Sequence, residues 1–572
     1  CSSVAASKSE IFSKRLVTAV LWNLGLQIFL AVVLVFFIQV DILHPLSWFT
    51  STFNDIFGWK MSLNIALLGL VSFFQAYIYG SYYMVPLPKY FTRFSMFLNL
   101  FTTQNVIFSI LYALSGYFTM SLYSSLAKSN FNVLKKKCEH YDGQCLMEQS
   151  LFLQFGGMWM GLYYFLNAHI FSTPMLMFPH VYQNKFQQLK QAIGRILSMG
   201  FKNSVMPVVY FCLFYYLWGH KPRSVVSDVY SLYLEDAPLD NIFNLIRSCI
   251  WIGLWFYTSL FFISVYTIRT IFNIVLTEPM KFQIESETGL TLYAALAQRT
   301  QFTGYLGAQD LKVVSQMDST RRMQLFTLSQ PGGHPRNWNH ILETSLNIIN
   351  SYTKELENIN SDVKPTEVGN SQKNMNITPP SGPLYSGNLR NLAQTPDMPK
   401  DYNYNLNKNK VNEMTFAKAL KEEFNGLLQR ICQKPGISYF FGELTDTKLK
   451  FLLMQAQPVM WTCEGLAFIV ATSLKEDKYG VVQNDLPIVI TALINLKSNL
   501  DKLTKLGLVP KKHILNDVFA IKMKSALMTS VKRSIYKIVI TFSKYFYEIP
   551  IDPDVQIAVQ PFLLLTSQIN SR

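Results

Sequence analysis

Six stretches in the first half of the chain each run about 20 residues with almost no charge, the length an α-helix needs to cross a bilayer. They are Val17–Gln39, Ser62–Met84, Phe101–Tyr123, Leu151–Phe171, Asn203–Gly219 and Arg247–Ile268, and their only charge is Arg247 at an edge. No comparable run follows Arg269. One such run could be a buried helix of a soluble protein; six in succession predict a polytopic membrane domain. The fifth contains Pro207, where a kink is expected. Tyr77, Tyr79, Tyr82 and Tyr83 crowd the end of the second like an interfacial belt.

Only 15% of the 572 residues are charged, against roughly a quarter in soluble domains. Mean hydropathy is nevertheless just +0.17, too low for a chain that is all membrane. The two figures agree if an apolar half is joined to a polar one. Residues 1–16 are polar, and the apolar run behind them is too long for a signal-peptide core.

The spans lack Asp, Glu, Lys and Arg in their cores. Pumps and transporters use ionisable groups at mid-membrane, so a transporter or channel of an internal membrane is the lesser alternative here. His169, near the end of the fourth span, reads as an interfacial or helix-bonded histidine. Gly157 and Gly161 form a GxxxG pair that lets two helix backbones approach closely. Asn23, Gln27, Gln75, Gln104 and Asn105 are candidates for bonds between helices.

Loop charge sets the orientation. Residues 1–16, 85–100 and 172–202 carry nine Lys/Arg, and the alternate loops carry seven together with nine acids. Basic residues favour the cytoplasm, so both termini are expected there. Cys138 and Cys145 then fall in a lumenal loop, where disulfides persist. Seven residues apart beside Gly143, they could close a small ring or remain two free thiols. No CxxC pair or His/Cys cluster suggests a metal, and no cofactor is expected.

Beyond Gly304 the pattern becomes amphipathic helix. Leu306, Leu311, Val313, Val314 and Met317 recur at near-helical spacing, and Asp318 is a helix cap ahead of Arg321 and Arg322. Ser329–Trp338, SQPGGHPRNW, separates this region from a helix running from Asn339 to Leu356. Pro331-Gly332 suits the centre of a type II turn, followed by Gly333, and Trp338 is expected to pin this corner to a core. A phosphate cradle would need a strand before it and Gly-Lys-Ser/Thr at the helix start; neither is present. His334 and His340 have no companions at ligand spacing.

Residues 358–412 are rich in Asn, Pro, Lys and Ser and read as a disordered linker. They contain the Thr378-Pro379 and Thr395-Pro396 dipeptides. The remainder returns to helical periodicity over Met414–Cys432, Thr445–Leu474, Asp485–Leu506 and Leu515–Tyr547. Residues 511–544 carry eight Lys/Arg, Lys522, Lys532 and Arg533 among them, and a single acid. That stretch is either a solvated face or a contact for anionic lipid or an acidic protein. No nucleic-acid motif accompanies it.

Three segments carry a family resemblance. LGAQDLKVVSQMDSTRRMQLFTLSQPGGHPRNW (Leu306–Trp338), WTCEGLAFIVATSLKEDKYGVVQNDLPIVITALINL (Trp461–Leu496) and DILHPLSWF (Asp41–Phe49) resemble, in order and spacing, the nuclear division cycle type of transmembrane nucleoporin. The resemblance covers most of the chain except the linker. It implies a non-enzymatic membrane anchor of the nuclear pore complex, sited where the inner and outer nuclear membranes fuse and implicated in pore assembly. Its cytoplasmic part would bind soluble scaffold nucleoporins, including in animals the propeller protein Aladin, with no small-molecule substrate and no direct nucleic acid. The family's paired lumenal cysteines match Cys138 and Cys145. Trp461 and Glu464 in the second segment, with Lys522, Lys532 and Arg533, are the candidate contacts for a partner or lipid.

The expected architecture is therefore all-α. It comprises a cytoplasmic segment (1–16), six transmembrane helices (17–268), a helical segment bearing the corner (269–357), the linker (358–412) and a C-terminal helical domain (413–572).

Overall fold

The structure, a computed structural model, describes residues 2–38, 44–83, 92–127, 134–138, 143–171, 176, 178–179, 183–233, 238–285, 290–297, 302–328, 333–362, 445–505 and 515–570. The apolar half contains α1 (Ser2–Ile38), α2 (Pro45–Phe57), α3 (Trp59–Tyr83), α4 (Arg93–Leu100), α5 (Thr103–Leu126), α6 (Glu148–Phe165), α7 (Lys185–Trp218), α8 (His220–Tyr230), α9 (Ile242–Arg247) and α10 (Ile250–Leu276). Among the described residues, five of its helices are long and apolar enough to cross a membrane: Glu10–Ile38 within α1, Trp59–Gly80 within α3, and all of α5, α7 and α10.

The fourth expected span is the exception. α6 stops after 18 residues and continues as a π-helix, Leu166–Phe171. Glu148, Gln149 and Gln154 dilute its hydropathy. Its position accounts for that composition, because α6 sits inside the bundle. Phe152 meets Phe211 and Tyr215 of α7 at ring separations of 5.1 and 4.9 Å, while Tyr164 meets Tyr112 of α5 at 5.6 Å and Phe261 of α10 at 6.2 Å. A helix covered by protein need not be apolar all round.

Two helices exceed the segments read from sequence. α1 starts at Ser2, so the polar residues 2–16 prolong the first span as helix. Arg15 secures that extension by donating from Nη1 to the carbonyls of Leu276 (2.8 Å) and Glu278 (2.6 Å) at the exit of α10. α7 starts at Lys185, inside a segment read as a loop from its basic residues, and runs unbroken through Pro207. The all-α expectation also misses a small hairpin. Strands β1 (Lys135–Lys137) and β2 (Gln144–Leu146) pair antiparallel, with Lys136 opposite Cys145. Tyr233 adds to its edge by backbone bonds with Leu146 and Gln144.

The second half forms α11 (Leu292–Leu296), α12 (Phe302–Gln316), α13 (Ser319–Leu325), α14 (Arg336–Asp362), α15 (Thr445–Met454), α16 (Ala456–Glu476), α17 (Leu486–Lys505), α18 (Leu515–Thr541) and α19 (Pro553–Asn570). One hydrophobic core runs through them, from Leu306 and Leu311 through Trp338, Tyr352 and Leu466 to Leu493, Ile535 and Val559. α14 passes residue 357 and reaches Asp362, so its last turn enters the stretch read as linker. Residues 363–412 and the expected helix Met414–Cys432 lie outside the described residues. The single helix expected over Thr445–Leu474 is two, split at Gln455. Pro458, in the first turn of α16, has no backbone N–H to offer the Met454 carbonyl four residues before it, which interrupts the helical bonding at this joint.

The head is fastened to the apolar half at several points. Phe12 packs edge-on against Phe302, with centroids 5.4 Å apart. Gln457 Nε2 donates to the carbonyl of Phe178 (3.0 Å), a residue in the segment between α6 and α7 whose ring joins the head core.

Candidate functional site: the helical head

α12 and α16 form the centre of the head. Gly465 permits their approach, since a Cβ there would lie 3.0 Å from Leu311 Cγ. Around this contact two polar ties join segments apart in sequence. Asp310, buried on α12, accepts from the backbone N–H of Phe282 (2.8 Å) and from both terminal nitrogens of Arg321 (Nη1 3.0 Å, Nη2 2.7 Å). Arg321 also donates to the Phe282 carbonyl, closing a ring of bonds around the strand-like stretch that follows the last apolar helix.

Its neighbour Arg322 faces the other way. It holds Glu476, at the end of α16, with a two-pronged pairing (Nε 2.7 Å, Nη2 2.6 Å), and donates from Nη1 to the carbonyl of Ser315 (2.7 Å). The planar guanidinium allows this simultaneous engagement, which an ammonium could not reproduce. Asp318 orders both arginines by capping α13, its Oδ1 accepting from Arg321 N (3.2 Å) and Thr320 Oγ1 (2.8 Å). The Thr320 hydroxyl bond and then the Arg321 amide hold its carboxyl below the usual aspartate range.

The SQPGGHPRNW corner lies beside this centre. Pro331 and Gly332 are outside the described residues; Gly333 is described without regular structure. Trp338 is fully buried, and its Nε1 donates to Asp485 Oδ2 at 2.8 Å. His340 stacks on Tyr293 at 4.7 Å. An open cleft of about 440 Å³ separates the corner from the next turn, lined by Gly333, Pro335, Asn339, Tyr479 and Asp485.

Two of the candidate contacts face inward. Trp461 is only 3% exposed, edge-on to Phe178 at 5.7 Å. Glu464 receives Lys312 Nζ (2.7 Å) and Ser530 Oγ (3.0 Å), tying α16 to α12 and α18. Both residues build the head and neither offers a free docking face, which corrects their selection from the second signature segment. Lys522, Lys532 and Arg533 are exposed, along a face of α18 that also carries Ser525 and Thr529.

In the apolar half, Gly157 and Gly161 meet α5. A Cβ on Gly161 would collide with the Tyr112 carbonyl oxygen, and one on Gly116 with the Gly157 carbonyl oxygen. The GxxxG pair thus has a third glycine as its counterpart. His169 bonds Tyr112 Oη through Nε2 (3.1 Å), consistent with a helix-bonded histidine. Cys138 and Cys145 are joined by a disulfide that closes the β1–β2 hairpin. Among the described residues no group of three or more His, Cys, Asp or Glu could hold a metal. Sequence reasoning missed the Arg321–Asp310 and Arg322–Glu476 ties; a tandem arginine directly after a cap was the only available signal.

The family described as Nucleoporin protein Ndc1-Nup matches residues 10–560, nearly the whole chain. This chain belongs to the Ndc1-Nup family of nucleoporins. It is similar to Nucleoporin NDC1 of Mus musculus, 23% identical with 97% of each chain covered, and of Homo sapiens, 22% identical with the same coverage. Nucleoporin Ndc1 of Drosophila melanogaster is 26% identical over 93% of this chain and 94% of its own. As an Ndc1-Nup nucleoporin the protein is a structural component of the nuclear pore and not an enzyme. Its apolar helices fit a place in the pore membrane.

Proposed function

We propose that this nucleoporin tethers soluble scaffold nucleoporins to the pore membrane through its helical head and supports pore assembly. In this reading six helices cross the bilayer, with α6 and its π-helical continuation as the fourth. The 18 residues of α6 rise about 27 Å, and the π-helix extends them. Both termini and the head face the nucleocytoplasmic side, and the exposed Lys522, Lys532 and Arg533 face acidic partner surfaces or anionic nuclear-envelope lipid. Aladin is the partner suggested by the resemblance.

The observation that carries the reading is the fastening of the head to the apolar half. Phe12 and the Arg15 guanidinium of α1 both meet the Phe302 ring of the head, and Gln457 of the head bonds the Phe178 carbonyl between α6 and α7. A platform held in this way transmits a fixed position at the membrane to whatever docks on it. A swinging tail would leave its partners free to diffuse around the anchor.

Crosslinking of the full-length protein in nuclear envelopes, read by mass spectrometry, tests the proposal. Crosslinks from the α18 face to other nucleoporins are expected, and Lys532→Glu/Arg533→Glu should weaken them. Crosslinks confined to the apolar half, or protease protection of the head inside sealed envelopes, would refute it.

A further inference from the structure

The segment DILHPLSWF resembles family sequence but has no part in the head. It leads into α2, which lies between the first two long apolar helices and does not itself span. α2 has three distinct faces. Thr52 is buried, with Trp48 and Ile56 partly buried beside it, on the protein side. Ser47, Thr50, Ser51 and Asn54 form an exposed polar arc. Leu46, Phe49, Phe53 and Phe57 recur at helical spacing as an apolar stripe, each between 49% and 84% exposed. Phe49, Phe53 and Phe57 touch in series, at 6.3 and 4.8 Å between centroids.

Such a stripe in water would be costly, at about 25 cal/mol per Å² of apolar surface. Connectivity fixes what covers it. α2 is separated from α3 by Gly58 alone, and residues 39–43 bridge α1 to His44. Those few residues reach roughly 20 Å at most, so α2 is confined to the membrane boundary. Phe36, on the last turns of α1, contacts both Trp48 (6.3 Å) and Phe49 (5.7 Å). The stripe therefore continues the exposed apolar surface of Phe37 and of Leu63, Leu67 and Leu70 on the neighbouring long helices. α2 contains no Lys or Arg, and its one charged residue is Asp55. Attraction to an acidic partner is thus not the basis of any contact here; apolar insertion is. The helix also sits at the end of α1 opposite Phe12 and Arg15, and so on the side of the membrane away from the head.

We infer that α2 is an interfacial helix that lies along the phospholipid surface on the side away from the head and sinks the Leu46–Phe49–Phe53–Phe57 stripe to the acyl boundary. A helix of 13 residues, about 20 Å long, then widens one leaflet and not the other. This gives the anchor a built-in preference for curved membrane. The inference rests on the reading that α1 and α3 cross the bilayer, and its test separates the two.

The full chain is prepared with p-benzoylphenylalanine replacing Phe53, Asn54 or, as a report on the span itself, Leu70. Each version is reconstituted into phosphatidylcholine vesicles and irradiated. Phospholipid adducts are expected at positions 70 and 53, with position 53 exceeding position 54 by about fivefold or more. Adducts at 70 with equal yields at 53 and 54 overturn the interfacial helix and leave the spans intact. Adducts from position 53 to a second copy of the chain overturn it in favour of a protein contact. Absence of lipid adducts at both 70 and 53 overturns the span reading along with it.

Discussion

The indole Nε1 of Trp338 donates to the carboxylate of Asp485 at 2.8 Å, across 147 residues of sequence. Trp338 lies in the first turn of α14 and Asp485 immediately precedes α17, so one bond ties together the starts of two core helices. The indole itself is fully buried. Trp338→Ala should destabilise the head by about 3–5 kcal/mol through the cavity it leaves. Trp338→Phe keeps most of the packing and loses the bond, at about 1 kcal/mol, because Asp485 retains partial access to water. Thermal unfolding of the detergent-solubilised full chain should rank wild type above Trp338→Phe above Trp338→Ala. Equal midpoints for the two variants would mean that the packing contributes nothing beyond the bond.

The Arg321–Asp310 pair makes a different demand. Asp310 is buried, and Arg321 is its neutralising partner. Arg321→Met strands a carboxylate in the core, at about 3–5 kcal/mol. The double variant Arg321→Met/Asp310→Leu removes the stranded charge and should be more stable than the single one, though the amide of Phe282 then lacks its acceptor. The measurement is again the unfolding midpoint. A double variant below the single one would show that the bond from Phe282 outweighs the charge pair.

These ties mark the limit of what the sequence discloses. Five long apolar helices were legible because a bilayer imposes a run of uncharged residues that little else requires. α6 was legible as a helix, but its burial by α5, α7 and α10 blurs the hydropathy that would mark a span. Charge misled the reading twice. Residues 1–16 and 172–202 read as loops from their basic residues, whereas α1 runs through Arg15 and α7 begins at Lys185, and tertiary bonds at the membrane exit satisfy Arg15. The head helices were visible in their 3.6-residue period and in the cap at Asp318. The pairing of Arg322 with Glu476 was not, because it spans 154 residues and no local pattern encodes it. Trp461 looked like a docking aromatic for the same reason. Only the fold shows that Phe178, from the other half of the chain, covers it.

The approach of α5 to α6 predicts a steric threshold. Gly161→Ala places a methyl group against the Tyr112 carbonyl oxygen, and Gly116→Ala places one against that of Gly157. Backbone cannot swing aside as a side chain can, so the helices must separate. Each change should cost about 1–3 kcal/mol of overpacking and lower the yield of monodisperse protein in detergent. Gly253→Ala, with nothing within 4 Å of the added carbon, is the control and should behave as wild type. Size-exclusion profiles compare the three.

Acid should erase the contribution of the α13 cap. The Asp318 carboxyl is held low in the folded protein by its bonds from Thr320 and the Arg321 amide. A depressed folded pKa means that the cap contributes fully above the unfolded value and is lost as pH falls through the folded one. At neutral pH Asp318→Ala should cost about 0.5–2 kcal/mol. The gap between wild type and variant should hold steady on acidification until the ordinary aspartate pKa of about 3.9 is reached, and close below it. Denaturant midpoints of both proteins across that range give the answer. A gap that widens toward acid would mean that the protonated carboxyl caps better than the ionised one, contrary to the bonding seen at Thr320 and Arg321.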